Sequence, residues 1–272
     1  MWQLFGDNRR KKILATPFSS EWEGHIQNNI QYYQHLNNEE KMRLQDLIQI
    51  FIAEKSWLGC NGLELTDEIR VMIAAHACLM ILALPNDCYR NVESIYVYPT
   101  TIFPPESPIG FFEVRTTPVR GPMPILGEAH HSGPVVLVWD AVKKETRHPE
   151  HGHNVVYHEF AHKLDMLDGS ADGTPPLTTP EDYQRWSDVC SKEYLELCGK
   201  VKHGKPTFFD SYAATDEAEF FAVVTEYFFS KPENMKHHHP KLYQVLQDFY
   251  RQDPAQEEFT NQLLKTEPKS IY

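Results

Sequence analysis

The stretch that decides the fold is residues 154–165, which read Asn-Val-Val-Tyr-His-Glu-Phe-Ala-His-Lys-Leu-Asp. Asn154 is a residue type that favours the N-cap of a helix, and Gly169 is one that favours its end. Val-Val-Tyr precedes the first histidine and Leu164 follows the second, so the helix has apolar flanks and is expected to be buried. The sequence therefore predicts a buried helix that carries two histidines.

His158 and His162 lie on one face of this helix, because residues four apart are stacked one turn apart. Both imidazoles can therefore reach a single metal ion. Glu159 stands beside the first histidine, where a carboxylate can accept a proton from a metal-activated water. This pattern favours zinc, Zn²⁺, which lowers the pKa of such a water to near neutrality. One departure is Lys163, a charge where an uncharged residue is more usual.

These residues predict a zinc-dependent peptidase with His158 and His162 as metal ligands and Glu159 as the general base. A catalytic zinc site typically takes three protein ligands and a water, so a third ligand is required. The alternative is an amphipathic helix with two partly exposed histidines and no metal.

Two aspartates follow the motif closely, and each has a weakness as the third ligand. Asp168 stands six residues after His162, but the pattern that uses this position needs a glycine where this chain has Asp165. If the helix continues to Gly169, Asp168 also points away from the histidines. Asp165 lies nearer the histidine face, but a ligand on the very next turn would crowd the open site. We expect it to contact a ligand or to lie on the helix surface.

Glu219 is the third candidate, and apolar residues follow it in the segment Glu-Phe-Phe-Ala-Val-Val over 219–224. An unpaired carboxylate is costly to bury, and a cation would remove that cost. Glu226 lies seven residues further on and shares the same helical face. It could orient a ligand histidine through a hydrogen bond, or it could itself be the ligand.

The remaining pattern predicts an α+β fold, mostly helical, with a small mixed sheet between helical halves. Helices are expected between Glu21 and Leu84, and again after Asp140. β-branched and aromatic residues between Pro- and Gly-rich turns indicate the strands. Predicted strands are Glu93–Phe103, Phe111–Thr116 and Val135–Trp139. Predicted helices start at caps Asn38 (39–55), Thr66 (67–84), Asn154 (to Gly169), Thr179 (to Gly199) and Thr215-Asp216 (to Pro232), with a last one over about 240–252.

No repeat or biased linker divides the chain, so residues 1–20 are predicted as a loose N-terminal arm and residues 21–272 as a single domain. The net charge of −12 argues against direct binding to DNA or RNA, because phosphate binding needs clustered basic residues. The apolar run Val71–Leu84 is too short to cross a bilayer. Five cysteines without a C-x-x-C pair predict reduced thiols in a cytoplasmic protein. We expect a monomer.

Several separated motifs resemble the Mlc titration factor A family of bacterial zinc peptidases. The resemblance covers roughly residues 60–252 and is specific, because the motifs agree in order and spacing. The matching segments are His158–Met166, Tyr212, Glu219–Ala222, Glu226–Glu233 and Pro240–Leu246.

The resemblance implies a gluzincin site with His158, His162 and Glu219 as ligands and Glu159 as base. Tyr212 would stabilise the oxyanion; from the residues alone, packing of its loop is the better explanation. The implied fold is zincin-like, similar to the catalytic domain of anthrax lethal factor. The implied activity is aminopeptidase-like on a peptide or protein substrate, and the implied partner is a transcriptional repressor of glucose-uptake genes. The alternative is a repressor-sequestering protein whose metal site is structural or vestigial.

Other histidines have plainer explanations. His148, His151 and His153 could line the cleft but are expected to be exposed in a loop. The run His237–His239 is expected to be solvated in a polar turn, and His76 to be a core histidine with a satisfied ring. The segment Pro134–Trp139 could pair with an extended peptide as an edge strand, or it could be an interior strand.

Overall fold

The computed structural model describes residues 2–85, 87–100, 127–129 and 133–255 of the chain, and these ranges hold eleven α-helices and four strands. The helices are α1 (Trp2–Leu14), α2 (Ser20–Asn29), α3 (Gln31–His35), α4 (Asn38–Glu54), α5 (Asp67–Met80), α6 (Trp139–Arg147), α7 (Val155–Asp165), α8 (Pro180–Lys202), α9 (Glu217–Ser230), α10 (Pro232–His238) and α11 (Pro240–Tyr250). The strands are β1 (Ser56–Gly59), β2 (Ser94–Tyr98), β3 (Gly127–Ala129) and β4 (Val135–Val138). Mostly helical α+β architecture is therefore confirmed.

The four strands form one mixed sheet in the order β1-β2-β4-β3. Strands β1, β2 and β4 run parallel, and β3 is antiparallel to β4. Strand β4 is interior, and Val135, Leu137 and Val138 are completely buried, as expected for a strand covered on both faces. Of the two alternatives for Pro134–Trp139, the interior strand is correct, and β3 occupies the edge. The predicted strand Phe111–Thr116 lies outside the described residues.

Helix starts follow the predicted caps closely, because capping is a local interaction. Thr66 Oγ1 accepts a hydrogen bond from the Ile69 N–H at 3.3 Å, at the start of α5. For α4 the cap is Asn37 and not Asn38. Asn37 and Glu40 bond each other's backbone N–H groups at 3.0 and 2.9 Å, a capping box that Asn38 could not form.

Strand β1 corrects the prediction of an all-helical stretch between Glu21 and Leu84. Its register is set against β2, with Ser56 opposite Ser94 and Gly59 opposite Val97. Four residues are too few to show a strand pattern, and the partner is distant in sequence.

The N-terminal segment also differs from the predicted loose arm, because most of it is the helix α1. Arg10 reaches α4 and forms a two-pronged ion pair with Glu54, with both N···O distances at 2.8 Å. Arg9 donates to the Ala53 carbonyl at 3.1 Å. These contacts attach α1 to α4 by its basic side chains.

The core lies where α4, α5 and α7 meet. Phe160, at the centre of α7, is completely buried, and its ring lies 4.8 Å from that of Tyr89 and 5.7 Å from that of Phe51. All five cysteines are free thiols. Across the described part of the chain, no helix combines the length and apolar character needed to span a bilayer.

His76 is the predicted core histidine, and its ring is satisfied. Nδ1 donates to the Met72 carbonyl at 2.8 Å, and Nε2 lies 3.5 Å from the Thr146 hydroxyl. Burial lowers the pKa of His76 to about 4, so the ring is neutral in the folded protein near pH 7.

Candidate metal centre

Helix α7 carries the histidine motif, and its start is anchored by its own cap residue and by side chains from two other helices. Asn154 accepts hydrogen bonds from the N–H groups of Val156 and Tyr157, both at 3.1 Å, as predicted for its cap. The N–H of Asn154 itself donates to Glu226 of α9, and that of Val155 donates to Glu145 of α6, both at 2.6 Å. The two carboxylates satisfy N–H groups that a helix start leaves free and suit its positive dipole.

Three side-chain atoms from α7 and α9 converge on one point. Nε2 of His158 and Nε2 of His162 are 3.3 Å apart. Glu219 Oε2 lies 3.0 Å from the first nitrogen and 3.5 Å from the second. Ligands of a tetrahedral zinc at about 2.0–2.1 Å are about 3.3 Å from each other. The three atoms therefore have the spacing of a zinc ligand set.

The charges around this point also fit a cation. The oxygens Glu159 Oε2 and Glu219 Oε2 are buried, and neither makes a hydrogen bond within the described residues. Burial raises the pKa of Glu159 to about 7. Although burial opposes it, the imidazoles of His158 and His162 hold the pKa of Glu219 well below its usual range. A bound cation would compensate both carboxylates and keep them ionised.

Glu226 fixes the orientation of the first histidine. Its Oε1 accepts a hydrogen bond from His158 Nδ1 at 2.8 Å, while its Oε2 accepts from the Asn154 N–H. The proton is thereby held on Nδ1, and the Nε2 lone pair is left for a metal. Burial alone would lower the pKa of His158, but the carboxylates of Glu219 and Glu226 raise it well above its usual range, and a bound metal would take the place of the Nε2 proton.

Tyr212 reaches the same site from a short 3₁₀ helix, Ser211–Ala214, which begins where Asp210 accepts the Tyr212 N–H at 2.7 Å. Its phenol donates to Glu219 Oε1 at 3.1 Å. Burial and the Glu219 carboxylate raise the pKa of Tyr212, so the phenol stays protonated and can donate. Tyr212 therefore packs against the core and also places its hydroxyl beside the three converging atoms.

The convergent side chains line an open cleft of about 480 Å³. Its rim is acidic on one side, where Asp216 and Glu217 are exposed at the start of α9. The cleft is lined by His158, Glu159, His162, Met166, Ala171, Tyr212, Asp216, Glu217, Ala218 and Glu219.

A sequence model described as glucose-regulated metallo-peptidase M90 matches residues 5–251. The chain belongs to this M90 family. An uncharacterized protein of Synechocystis sp. is 37% identical over 251 residues, covering 91% of this chain and 90% of its own length. Proteins named Mlc titration factor A are also similar. That of Serratia proteamaculans is 34% identical, and the match covers 80% of this chain and 82% of that protein. That of Klebsiella pneumoniae is 32% identical, and the match covers 81% of this chain and 82% of that protein. The resemblance noted in the sequence is therefore confirmed.

Membership of the M90 metallo-peptidases implies a metal, and the described residues contain one group of histidine, cysteine and acidic side chains spaced to hold an ion. That group is His158, His162 and Glu219. Asp168 does not join it: the side chain is exposed and accepts the Ser170 N–H at 3.0 Å. Asp165 is completely buried, and its Oδ2 accepts the Gly173 N–H at 2.9 Å, so it is not on the helix surface.

Within the part of the chain that the structure describes, the other histidines lie outside this group. His148 and His151 are exposed, and both contact Glu150. His153 is nearer the site, with Nδ1 3.9 Å from Glu226. His239 corrects the prediction of a solvated turn, because it is half-buried and its Nδ1 lies 2.7 Å from Glu193 Oε2 on α8.

Lys163, the departure noted beside the motif, is completely buried. Its Nζ donates to the Gly133 carbonyl at 3.1 Å, just before β4, and its own carbonyl accepts from Asn91 at 2.8 Å. Burial lowers the pKa of Lys163. Lys163 therefore connects α7 to the segment that leads into β4.

Sequence reasoning missed Glu145, which binds the first N–H of α7. Nothing in its local sequence, an amphipathic helix with several charges, distinguishes it from a solvated glutamate. Its distinguishing property is partial burial, which raises the pKa of Glu145 to about 7. That property depends on the packing of α6 against α7 and is not visible in the sequence.

Proposed function

We propose that this chain is a zinc-dependent peptidase with aminopeptidase-like activity and a zincin-like site. The observation that carries the proposal is the convergence of His158 Nε2, His162 Nε2 and Glu219 Oε2 at tetrahedral spacing, with the unpartnered carboxylate of Glu159 beside them. His158, His162 and Glu219 would hold the ion. When bound, zinc supplies a Lewis acid that polarises a carbonyl and makes water acidic enough to attack it.

Glu159 is assigned the role of general base. Its carboxylate accepts a proton from the attacking water and delivers it to the leaving amine nitrogen, as the carbon–oxygen bond forms and the carbon–nitrogen bond breaks. A base buried beside the metal is well suited to this transfer, because no other hydrogen bond within the described residues occupies its Oε2. Its helical position, next to the first ligand, is the position that the chemistry requires.

Tyr212 is assigned the role of oxyanion donor. Its phenol stands at the cleft and donates to Glu219 Oε1, the oxygen that is not directed at the histidines. Rotation of the phenol away from that oxygen would present its proton to the developing oxyanion of the substrate. His158 keeps its orientation throughout, because Glu226 holds its Nδ1 proton.

The acidic rim supports an aminopeptidase-like preference. Asp216 and Glu217 place negative charge beside the ligand Glu219, where the cationic amino terminus of a peptide would be attracted. An open cleft also suits chain ends and exposed peptide segments.

A regulatory role is proposed on the relatives named Mlc titration factor A. The partner would be a transcriptional repressor protein bound through a surface of this chain. Direct binding to nucleic acid is not expected of a chain with a net charge of −12. Five free thiols suit the cytoplasm, where such a repressor acts.

The second candidate function is repressor sequestration with a purely structural metal site. A structural zinc usually has four protein ligands, and the described residues provide three around an open cleft. A structural site also has no need of Glu159. The enzyme is therefore the better explanation of this geometry.

The proposal is tested by metal analysis of the purified protein together with hydrolysis of a panel of short peptides. We expect one zinc per chain, hydrolysis that a chelator abolishes and zinc restores, and faster cleavage of peptides with a free amino terminus than of acetylated ones. Glu159→Gln should keep zinc and lose at least about 100-fold in kcat, because the amide cannot accept the proton. Stoichiometric zinc with wild-type turnover in Glu159→Gln would remove the base from this assignment. Zinc without hydrolysis in the wild type would favour the structural alternative.

A further inference from the structure

We propose that Asp165 is a positioning residue that sets the place of the third metal ligand, Glu219, by clamping the backbone of Gly173 against the first turn of α9. The inference rests on the proposed function, because it concerns the geometry of the same zinc site. Asp165 lies one turn beyond His162 on α7 and is not among the residues that line the cleft.

Asp165 makes a contact that its burial alone would not favour. The residue has no exposed surface, and its Oδ1 makes no hydrogen bond within the described residues. Its Oδ2 accepts the Gly173 N–H at 2.9 Å. Burying a carboxylate in this way is unfavourable by itself. The hydrogen bond to the Gly173 N–H is strong because its acceptor is charged. We infer that this bond is the reason for a carboxylate at position 165.

Gly173 packs directly on the helix that carries Glu219. Its φ is +77°, and a Cβ at this position would lie 2.3 Å from the carbonyl oxygen of Glu217 and 3.3 Å from the nitrogen of Ala218. Both atoms belong to the first turn of α9. No side chain can be placed between the loop and the helix, so the glycine sets how closely they approach.

The carbonyl of Gly173 is held as firmly as its N–H. Trp186 of α8 donates its indole Nε1–H to this carbonyl at 3.1 Å and is almost completely buried. The same indole ring packs edge-on against Phe221, two residues beyond Glu219 on α9, with the ring centres 5.6 Å apart. One tryptophan therefore contacts both the clamped loop and the helix on which it rests.

These contacts form a continuous path between the two halves of the ligand set that does not pass through the metal. It runs from His162 along α7 to Asp165, across the hydrogen bond to Gly173, and through the close contact with Glu217 to Glu219. Together with the direct bonds from Glu226 to Asn154 and His158, the path holds Glu219 Oε2 at 3.5 Å from His162 Nε2. Metal–ligand distances tolerate only about 0.2 Å, so a small shift of α9 would be felt as lost affinity.

The first test measures zinc affinity by competition with a chelator, and thermal unfolding of the metal-free protein. Asp165→Ala is expected to weaken zinc binding by about 10–100-fold, the usual effect of losing a group that orients a ligand. Asp165→Asn keeps an oxygen acceptor for the Gly173 N–H and should restore most of the affinity. Equal affinity in the wild type and in a folded Asp165→Ala would overturn the inference.

A matched pair of glycine variants separates the clamp from general backbone strain. Gly173→Ala and Gly204→Ala both place a side chain at positive φ, +77° and +62°, but a Cβ at Gly204 has no neighbour within 4 Å. Only Gly173→Ala should lose zinc affinity, because only it pushes on Glu217. Equal zinc affinity in the two variants would contradict the clamp. If Asp165→Ala does not fold, this pair of glycine variants decides the question.

A double-mutant cycle distinguishes a path to Glu219 from any other effect of Asp165. In a Glu219→Ala background, Asp165→Ala should weaken zinc no further, because the group that it positions is gone. If Asp165→Ala weakens zinc affinity by the same factor in both backgrounds, Asp165 acts elsewhere. That result would contradict this inference and leave the proposed function intact. A wild-type protein that binds no zinc would sink the proposed function and this inference together, so the two failures are distinguishable.

Discussion

In the proposed mechanism, the hydroxyl of Tyr212 would belong both to the resting site and to the reaction. Its phenol donates to Glu219 Oε1 at 3.1 Å, and its pKa is raised by burial and by that carboxylate. The proton is therefore available at any pH at which the enzyme would work. A donor that must leave one acceptor to serve another acts mainly in the transition state, where the new acceptor is more negative.

We predict that Tyr212→Phe keeps the fold and one zinc per chain but lowers kcat by about 10- to 1000-fold, the range for loss of an oxyanion donor. Tyr183→Phe is the control. Tyr183 is exposed, does not line the cleft, and its hydroxyl accepts the Leu177 N–H. Steady-state kinetics on several peptides and metal analysis provide the readouts. Unchanged kcat on every peptide would return Tyr212 to a packing role.

The two histidines, the proposed base and the third member of the cluster, Glu219, could be proposed from the sequence because their signals are local. A two-histidine helix needs only the four-residue spacing, and Glu219 is conspicuous as a carboxylate ahead of apolar residues. Glu226 could be suspected, since it shares the face of Glu219. The hydrogen-bond partner of Asp165 could not be predicted, because Gly173 reaches Asp165 only through the way in which the loop after α7 folds back.

At the level of elements, helix starts were predictable and the first strand was not. Caps such as Thr66 and Asn154 act on N–H groups two or three residues away, so the signal lies within one window of sequence. Strand β1 exists because β2 lies beside it, and the two pair from Ser56 to Gly59 across almost forty residues of chain. The α4 cap moved by one residue because Glu40 completes a box with Asn37.

Helix α7 offers the clearest test of an element boundary. Asn154 is almost completely buried, and its side chain serves two N–H groups, whereas Asn37 of α4 makes its capping box in an exposed position. Asn154→Ala should lower the free energy of unfolding by about 1–2 kcal/mol, at the upper end of the range for a lost cap.

Urea denaturation of the metal-free protein measures this loss without contributions from zinc. Asn37→Ala is the matched control, and we expect a smaller loss there because water can replace the exposed acceptor. A loss in Asn154→Ala no larger than that in Asn37→Ala would show that Glu226 and Glu145 hold the start of α7 without the asparagine.

For the whole molecule, His76 makes the fold sensitive to acid. Burial lowers the pKa of His76 from its usual 6.5 to about 4. Between these values the unfolded chain binds a proton that the folded chain does not, so the free energy of unfolding rises with pH across this window. The contribution of His76 to the free energy of unfolding has its full value above pH 6.5 and falls as the pH drops toward 4. The full loss is at most about 3 kcal/mol, and ~2 kcal/mol of it is reached by pH 5.

The prediction is tested by comparing His76→Gln with the wild type in urea at pH 7.5 and pH 5. Buried carboxyls with a raised pKa, such as Glu145, act in the opposite direction and are common to both proteins, so only the difference is informative. Between the two pH values the wild type should lose ~2 kcal/mol more than His76→Gln. A His203→Gln control at an exposed histidine should follow the wild type. Parallel curves for the wild type and His76→Gln would contradict the assignment.

The two buried glutamates of the site, Glu159 and Glu226, are expected to be retained among relatives for different reasons. Glu226 holds the N–H of Asn154 as well as His158, so a lineage that abandoned hydrolysis would still be selected to retain it for folding. Glu159 has a buried oxygen without a hydrogen-bond partner in the described chain, and mutational drift would replace it soon after selection for chemistry ended. If Glu159 is the base, its retention in a diverged relative would therefore indicate recent selection for hydrolysis, and retention of Glu226 would not.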